Sequence, residues 1–252
     1  MSGEQKIRIG AVSYLNTKPL LFGMQQPAFL QQHELVLDYP AHVAEQLMQG
    51  RIDVGLVPVA ILPKLKQYQI VSTYGIAADY EVASVCLFSE VPLHAIETIY
   101  LDYQSRSSVA LLKVLMRESW GIQPQLVEAA NESFRTKVHG TTAALVIGDR
   151  AFEQRRISTF VFDLATEWRS LTGLPFVFAV WASMQSMDAG WQQVFNAANA
   201  VGLNQLDTIA EAQKYAAFDL KKYYRHHISY LIDDEKLKGM ERFLELLKVN
   251  LL

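Results

Sequence analysis

Short apolar runs alternate with stretches of helical spacing along most of the chain. Residues 7–12 alternate and then become wholly apolar, as in a strand of a parallel sheet that is covered on both faces. Further strands are predicted at 34–39 and 52–57, and the segment 41–49 between them has apolar positions at helical spacing after Pro40. This order of strand, helix and strand predicts an α/β lobe at the start of the chain.

A second alternation of strands and helices begins near Val91. It follows apolar, β-branched runs at 70–76 and 82–89, which predict two central strands. In the second unit, strands are predicted at 98–101, 125–127, 143–148 and 160–162, and helices at 107–118 and from Asp149 onward. The run 174–181 predicts a strand that returns to the first lobe, and helices are predicted after it at 189–202, 205–217, 220–232 and 234–251.

This pattern predicts two α/β lobes, one formed by residues 1–90 and 181–252 and the other by residues 91–180. The chain would cross between the lobes twice, near 85–92 and near 174–182. Two crossings form a hinge, so a ligand is expected to bind in the cleft between the lobes.

Composition excludes several classes of protein. The chain has 252 residues, 50% of them hydrophobic, and its 23 basic and 26 acidic residues give a net charge of −3. This balance argues against a nucleic acid or an anionic membrane as partner. Cys86 is the only cysteine, so no intrachain disulfide is expected. No apolar run reaches the roughly 20 residues of a membrane span, and no signal region precedes the first strand, so a cytoplasmic protein is expected.

The segment VSYLNTKPL at 12–20 directly follows the first predicted strand. In open α/β sheets, ligands bind beyond the carboxyl ends of the strands, which would place Asn16 at a crevice. Its amide can both donate and accept a hydrogen bond without carrying charge. The alternative is that Asn16 only caps the helix that begins near Lys18.

A second polar segment, DYQSRSS at 102–108, lies between a predicted strand and a predicted helix. Free N–H groups at the start of a helix, together with the hydroxyls of Ser105, Ser107 and Ser108, suit a carboxylate ligand. Helix capping by Ser105 or Ser107 is compatible with that role. The sequence leaves open whether Arg106 faces the ligand or solvent.

Three further residues have both a functional and a structural interpretation. Ser84 lies in the run 82–89, where its hydroxyl could face the cleft or bond to a buried backbone carbonyl. Asp149, between the strand 143–148 and a helix, could be a cleft residue or an N-cap. Cys86 is predicted to be a small core residue rather than a nucleophile, because no base is indicated beside it.

No metal or cofactor motif is found in the sequence. The histidines are scattered, without the i, i+4 spacing of a metal pair; they are His33, His42, His94, His139, His226 and His227. Neither a glycine-rich phosphate loop nor a G-x-S-x-G motif is present. The sequence therefore predicts a protein that works without a metal and without a cofactor.

The segment YLNTKPL at 14–20 resembles the opening motif of the chorismate dehydratases, enzymes of the futalosine route to menaquinone. Further segments resemble that family in the same order: IDVGLVPVAIL at 52–62, ASVCLFS at 83–89, LDYQSRSSVALLKVL at 101–115, ALVIGD at 144–149 and LPFVFAVW at 174–181. The resemblance extends to about Trp181 and is weakest in the helical tail.

This resemblance implies a type II periplasmic-binding-protein fold and chorismate as the small-molecule substrate. It implies a catalytic role for Asn16 and substrate binding by Ser105, Ser107 and Ser108. Ser84 and Asp149 are further substrate-binding candidates because of their positions in the predicted cleft. The fold alone does not decide the function. A solute-binding protein and the sister enzyme 1,4-dihydroxy-6-naphthoate synthase are therefore kept as alternatives.

Overall fold

The computed structural model describes residues 6–248. The strands in this range are β1 (Ile7–Val12), β2 (His33–Asp38), β3 (Val54–Pro58), β4 (Gln69–Ala78), β5 (Val85–Ser89), β6 (Thr98–Leu101), β7 (Gln125–Glu128), β8 (Thr142–Ile147), β9 (Phe160–Asp163), β10 (Phe176–Ser183) and β11 (Ser229–Leu231). The α-helices are α1 (Lys18–Met24), α2 (Pro27–Leu30), α3 (Pro40–Met48), α4 (Ser107–Leu115), α5 (Arg150–Arg155), α6 (Leu164–Thr172), α7 (Ala189–Leu203), α8 (Leu206–Ala212), α9 (Leu220–Lys222) and α10 (Asp234–Lys248).

The first lobe is built on a six-stranded sheet with the order β11-β4-β10-β3-β1-β2. β1 runs parallel to β2 and β3, and β10 runs antiparallel to β3 and β4. All five residues of β3 are buried, as expected of a strand covered on both faces. A 3-10 helix, Leu15–Thr17, joins β1 to α1 at the carboxyl end of the sheet.

The second lobe is built on a five-stranded sheet with the order β7-β6-β8-β5-β9. β6 runs parallel to β7 and β8, and β5 runs antiparallel to β8 and β9. β8 ends at Ile147, and α4 begins at Ser107 after the loop that follows β6. Both loops lie at the carboxyl ends of their strands, where the serine segment and Asp149 were expected.

The chain changes sheets between β4 and β5, at residues 79–84, and again just before β10, at residues 173–175. Both positions lie earlier than the lobe boundaries expected from the sequence, residues 90 and 181, because β5 pairs in the second sheet and β10 in the first. At the first crossing Ala83 has a φ of 63°. The Asp163 carboxylate accepts the N–H groups of Val82 and Ala83 at 3.1 and 2.8 Å, which holds this left-handed turn.

The helical tail departs from the sequence prediction at two segments. The predicted helix 205–217 is shorter in the structure, where α8 ends at Ala212. The predicted helix 220–232 is wrong beyond His227: α9 continues as a π-helix, Tyr223–His227, and is followed by the strand β11. β11 pairs with β4 at the edge of the first sheet and satisfies backbone groups that β4 would otherwise leave unpaired. A short apolar run is ambiguous between helix and strand, so sheet pairing decided this segment.

Candidate functional site

A cavity lies between the two lobes at the carboxyl ends of β1, β3 and β8. Its polar wall residues are Tyr14, Asn16, Thr17, Ser105, Ser107 and Ser108, and its apolar wall includes Val12, Leu56, Ile76, Val85, Ile147 and Phe178. The cavity volume is about 60 Å³, room for only a few water molecules. The lobes contact each other around this cavity, through hydrogen bonds described below, and this is termed the closed arrangement.

Asn16 lies in the 3-10 helix between β1 and α1, and its side chain reaches the cavity wall. Its Oδ1 accepts a hydrogen bond from the Thr17 hydroxyl at 3.0 Å. The Asn16 side chain makes no capping bond to α1, so the simple capping alternative is not observed. Within residues 6–248 no acceptor is bonded to the Asn16 Nδ2, which leaves this amide able to donate to a ligand.

The serine segment forms the opposite wall, where α4 begins. Ser105 caps α4, because its Oγ accepts the N–H of Ser108 at 3.1 Å. The Ser108 hydroxyl itself has no hydrogen-bond partner in the described part of the chain, although the residue is 3% exposed and lines the cavity. Ser108 therefore offers a donor to a bound anion, together with the unpaired first-turn N–H groups of α4.

Ser107 joins the two lobes. Its hydroxyl donates to the Phe178 carbonyl of β10 at 3.0 Å and accepts the Ala60 N–H at 3.2 Å. Both partners belong to the first lobe, whereas Ser107 belongs to the second. In the closed arrangement the single hydrogen of the Ser107 hydroxyl is already used in the hydrogen bond to this carbonyl, so it is not available to a ligand.

Asp149 also reaches across the cleft, but not into the cavity. Asp149 stands at the N-cap position of α5, as one of the two interpretations expected, but its carboxylate accepts the Leu15 N–H at 3.1 Å and makes no capping bond to α5. Burial raises the pKa of Asp149 to about 6, against the opposing effects of the Leu15 N–H and the charges of Lys18 and Arg150.

Tyr14 makes a further contact between the lobes. Its hydroxyl donates to the Gln104 Oε1. Burial raises the pKa of Tyr14 well above its ordinary value, so the side chain stays neutral near pH 7. Tyr14 and Gln104 were missed by the sequence analysis, although both lie inside the polar segments that contain Asn16 and Ser105. The two positions could have been found from that proximity alone.

Ser84 lies behind the cavity wall rather than on it. The residue is fully buried, and its Oγ accepts the Tyr223 hydroxyl at 2.7 Å. Ser84 does not contribute to the cavity wall in this arrangement, and its role in substrate binding stays a prediction. Tyr223 is itself buried, and its hydroxyl bond links the π-helix that follows α9 to the first crossing. Cys86 is buried as predicted, and burial raises the pKa of its thiol.

The cationic side chains near the cleft are placed outside the cavity. Arg106 is exposed and lines surface grooves rather than the cavity. Arg150 lies behind the serine segment, where its Nη2 donates to the Asp102 carboxylate at 2.7 Å. Among the described residues, no Lys, Arg, His, Asp or Glu contributes to the cavity wall.

Residues 6–248 contain neither a cluster of metal-binding side chains nor a membrane-spanning helix. No three or more His, Cys, Asp or Glu side chains in this range gather closely enough to hold a metal ion. The helices of the same range are each too short or too polar to cross a membrane.

A family model described as menaquinone biosynthesis matches residues 7–248. The chain belongs to this family. Chorismate dehydratase of Thermus thermophilus is 27% identical over 267 aligned positions, which cover 95% of this chain and 94% of that protein. The family suggested by the segments from YLNTKPL onward is thereby confirmed.

Solved structures show the same fold at low sequence identity. A protein of Archaeoglobus fulgidus has a TM-score of 0.76 at 14% identity, covering 97% of both chains. The alkanesulfonate-binding protein of Xanthomonas axonopodis pv. citri, bound to MOPS, has a TM-score of 0.66 at 14% identity, covering 100% of this chain and 95% of that one. This member of the menaquinone biosynthesis family thus has the predicted periplasmic-binding-protein fold, with two α/β lobes and a cleft between them.

Proposed function

We propose that this protein is a chorismate dehydratase, which converts chorismate to 3-[(1-carboxyvinyl)oxy]benzoate and water in the futalosine route to menaquinone. The observation that carries the proposal is the pairing of Asn16 from one lobe with the serine segment from the other at one cavity. The relative named chorismate dehydratase, which matches nearly the whole chain, supports the same activity.

The proposed reaction removes the proton from C3 and the hydroxyl from C4 of chorismate, so that the ring becomes aromatic and one water is released. Aromatisation supplies much of the driving force. The protein must then orient the substrate, exclude water and neutralise two carboxylates. Closure of the lobes would exclude water, and the Ser108 hydroxyl with the first-turn N–H groups of α4 would bind a carboxylate.

The base that removes the C3 proton is proposed to be the enolpyruvyl carboxylate of chorismate itself. The cavity wall of the described chain holds no carboxylate, histidine or lysine. Tyr14 is neutral near pH 7, and its hydroxyl donates a hydrogen bond to Gln104, so it does not act as a base. Asn16 would hold the enolpyruvyl group in a reactive conformer through its free Nδ2.

Asn16→Ala tests this role. The variant is expected to lower kcat by at least about 100-fold while changing KM by less than about fivefold, because positioning of the reacting group is lost. Product would be followed by liquid chromatography, since chorismate also decays spontaneously. Asn204→Ala, an exposed asparagine at the end of α7, is the matched control. Near-normal turnover by Asn16→Ala would refute the assignment.

The two alternatives predict different results with the same protein. A 1,4-dihydroxy-6-naphthoate synthase would convert cyclic dehypoxanthinyl futalosine and leave chorismate unchanged. A solute-binding protein would bind a ligand and release it without forming product. Offering the purified protein both compounds separates these functions from the proposed one.

A further inference from the structure

We propose that Asp149 is a positioning residue: it holds the backbone of the Asn16 loop from the opposite lobe, so that closure of the lobes assembles the site. The inference rests on the proposed role of Asn16. It gives Asp149 a different role from direct contact with substrate, which its position behind the cavity wall does not favour.

The geometry of the bond is specific. Both carboxylate oxygens lie within reach of the Leu15 N–H, at 3.1 and 3.4 Å. Leu15 begins the 3-10 helix, so its N–H has no partner within that helix. Asp149, in the other lobe, supplies the missing acceptor. The bond thus fixes the backbone at Leu15, the residue directly before Asn16.

Asp149 is itself fixed in position. The Tyr215 hydroxyl donates to the Asp149 carbonyl at 3.1 Å. The preceding residue, Gly148, has a φ of 67° and packs against the ring of Tyr14, whose atoms lie 3.3 Å from the position that a Cβ at Gly148 would take. A side chain at 148 would therefore strain the backbone and push Tyr14 away from the turn.

The Asn16 loop is thus held by two successive residues. The side chain of Tyr14 bonds to Gln104, and the backbone of Leu15 bonds to Asp149, both in the second lobe. Asn16, the next residue, is left with its side chain toward the cavity. When the lobes separate, both bonds must break, so the loop is fixed in this way only in the closed arrangement.

The chemistry of the bond supplies a decisive pair of variants. Asparagine at 149 has a carbonyl oxygen that can accept the Leu15 N–H, whereas alanine has no acceptor. A residue that acts only as an acceptor tolerates Asp149→Asn. A residue that transfers a proton in the reaction tolerates neither change.

The test combines kinetics with hydrogen exchange. For Asp149→Ala we expect kcat to fall by about 10-fold or more with a smaller change in KM, since a misplaced catalytic group affects mainly the chemical step. Backbone amides of residues 13–18 should exchange faster than in the unsubstituted protein. For Asp149→Asn we expect most of kcat and of the protection to be retained. Asp188→Ala, which removes the cap of α7 far from the cleft, should leave exchange at 13–18 unchanged.

An equal loss of kcat in Asp149→Asn and Asp149→Ala would overturn the proposal, because it would make the ionised carboxylate essential. Unchanged exchange at 13–18 in Asp149→Ala would overturn it as well. If Asp149→Ala does not fold, the Asp149→Asn kinetics alone decide. If the unsubstituted protein does not convert chorismate, the proposed function fails, whereas the exchange comparison still tests the bond between the lobes.

Discussion

Asp149→Asn is expected to stabilise the protein above about pH 7, even though it conserves the shape of the side chain. The pKa of Asp149 is raised from 3.8 to about 6, mainly because burial disfavours the charged form. The stability that this group contributes is fully present below pH 3.8 and is lost as the pH rises through about 6. Above that pH the folded protein bears the cost of a partly buried carboxylate, and asparagine would remove that cost.

The magnitude follows from the shift. A difference of about 2 pKa units corresponds to ~3 kcal/mol, and partial exposure to solvent reduces the effect to roughly 1–3 kcal/mol. Lys18 and Arg150 favour the charged form, and their effects are already contained in the raised pKa. When the pH is lowered from about 8 to about 5, Asp149 becomes protonated in the folded protein. The free energy of unfolding of the unsubstituted protein should then rise by ~1.4 kcal/mol relative to that of Asp149→Asn.

The assay is urea unfolding of both proteins at these two pH values. All other titrating groups are shared, so the change in the stability difference between the proteins isolates Asp149. The advantage of Asp149→Asn should shrink by ~1.4 kcal/mol on going to the lower pH. A difference that stays constant or grows toward acid would show that the pKa of Asp149 is not raised, and the burial argument would be wrong.

Three further predictions concern the closed cleft. Ser107→Ala leaves the Ala60 N–H and the Phe178 carbonyl without their partner, so urea unfolding should show a loss of about 1–3 kcal/mol; no loss would mean that these bonds do not form in solution. Chorismate affinity, measured by calorimetry, should change less than about threefold between low and moderate salt, because neutral donors form the wall; a steep fall would identify Arg106 or another cation as the anchor. Turnover should survive exhaustive dialysis against EDTA, and activity that is lost and then restored by a metal would contradict the proposed mechanism.

Much of the fold could be predicted because its elements carry local signals. The strand 7–12 and the helix after Pro40 show clear periodicity, and both are found as β1 and α3. The run 82–89 was harder, since it is mostly apolar and contains both part of the crossing and β5. Apolar character shows that a segment is buried but does not show which sheet it joins. α6 was missed altogether, although Asp163 caps its start.

The candidate site was partly predictable for a related reason. Asn16 and the serine segment follow predicted strands, and such loops converge at the carboxyl edge of a sheet. The partners of those residues were not predictable, because they depend on how two lobes meet. The bond between Leu15 and Asp149 spans 134 positions in the chain, and that between Ser84 and Tyr223 spans 139. No local pattern contains information on contacts of that separation.

The polar groups of the closed cleft divide by what they can still do for a ligand. The Ser107 hydroxyl donates its hydrogen bond to the Phe178 carbonyl, and the Tyr14 hydroxyl donates its hydrogen bond to Gln104. The groups left at the wall in the described chain are chiefly donors: the Asn16 amide, the Ser108 hydroxyl and the first-turn N–H groups of α4. A wall of neutral donors matches a ligand that carries carboxylates, but it offers no strong acceptor for a proton. The proposed function therefore assigns the base to the substrate, because chorismate carries a carboxylate on its own side chain.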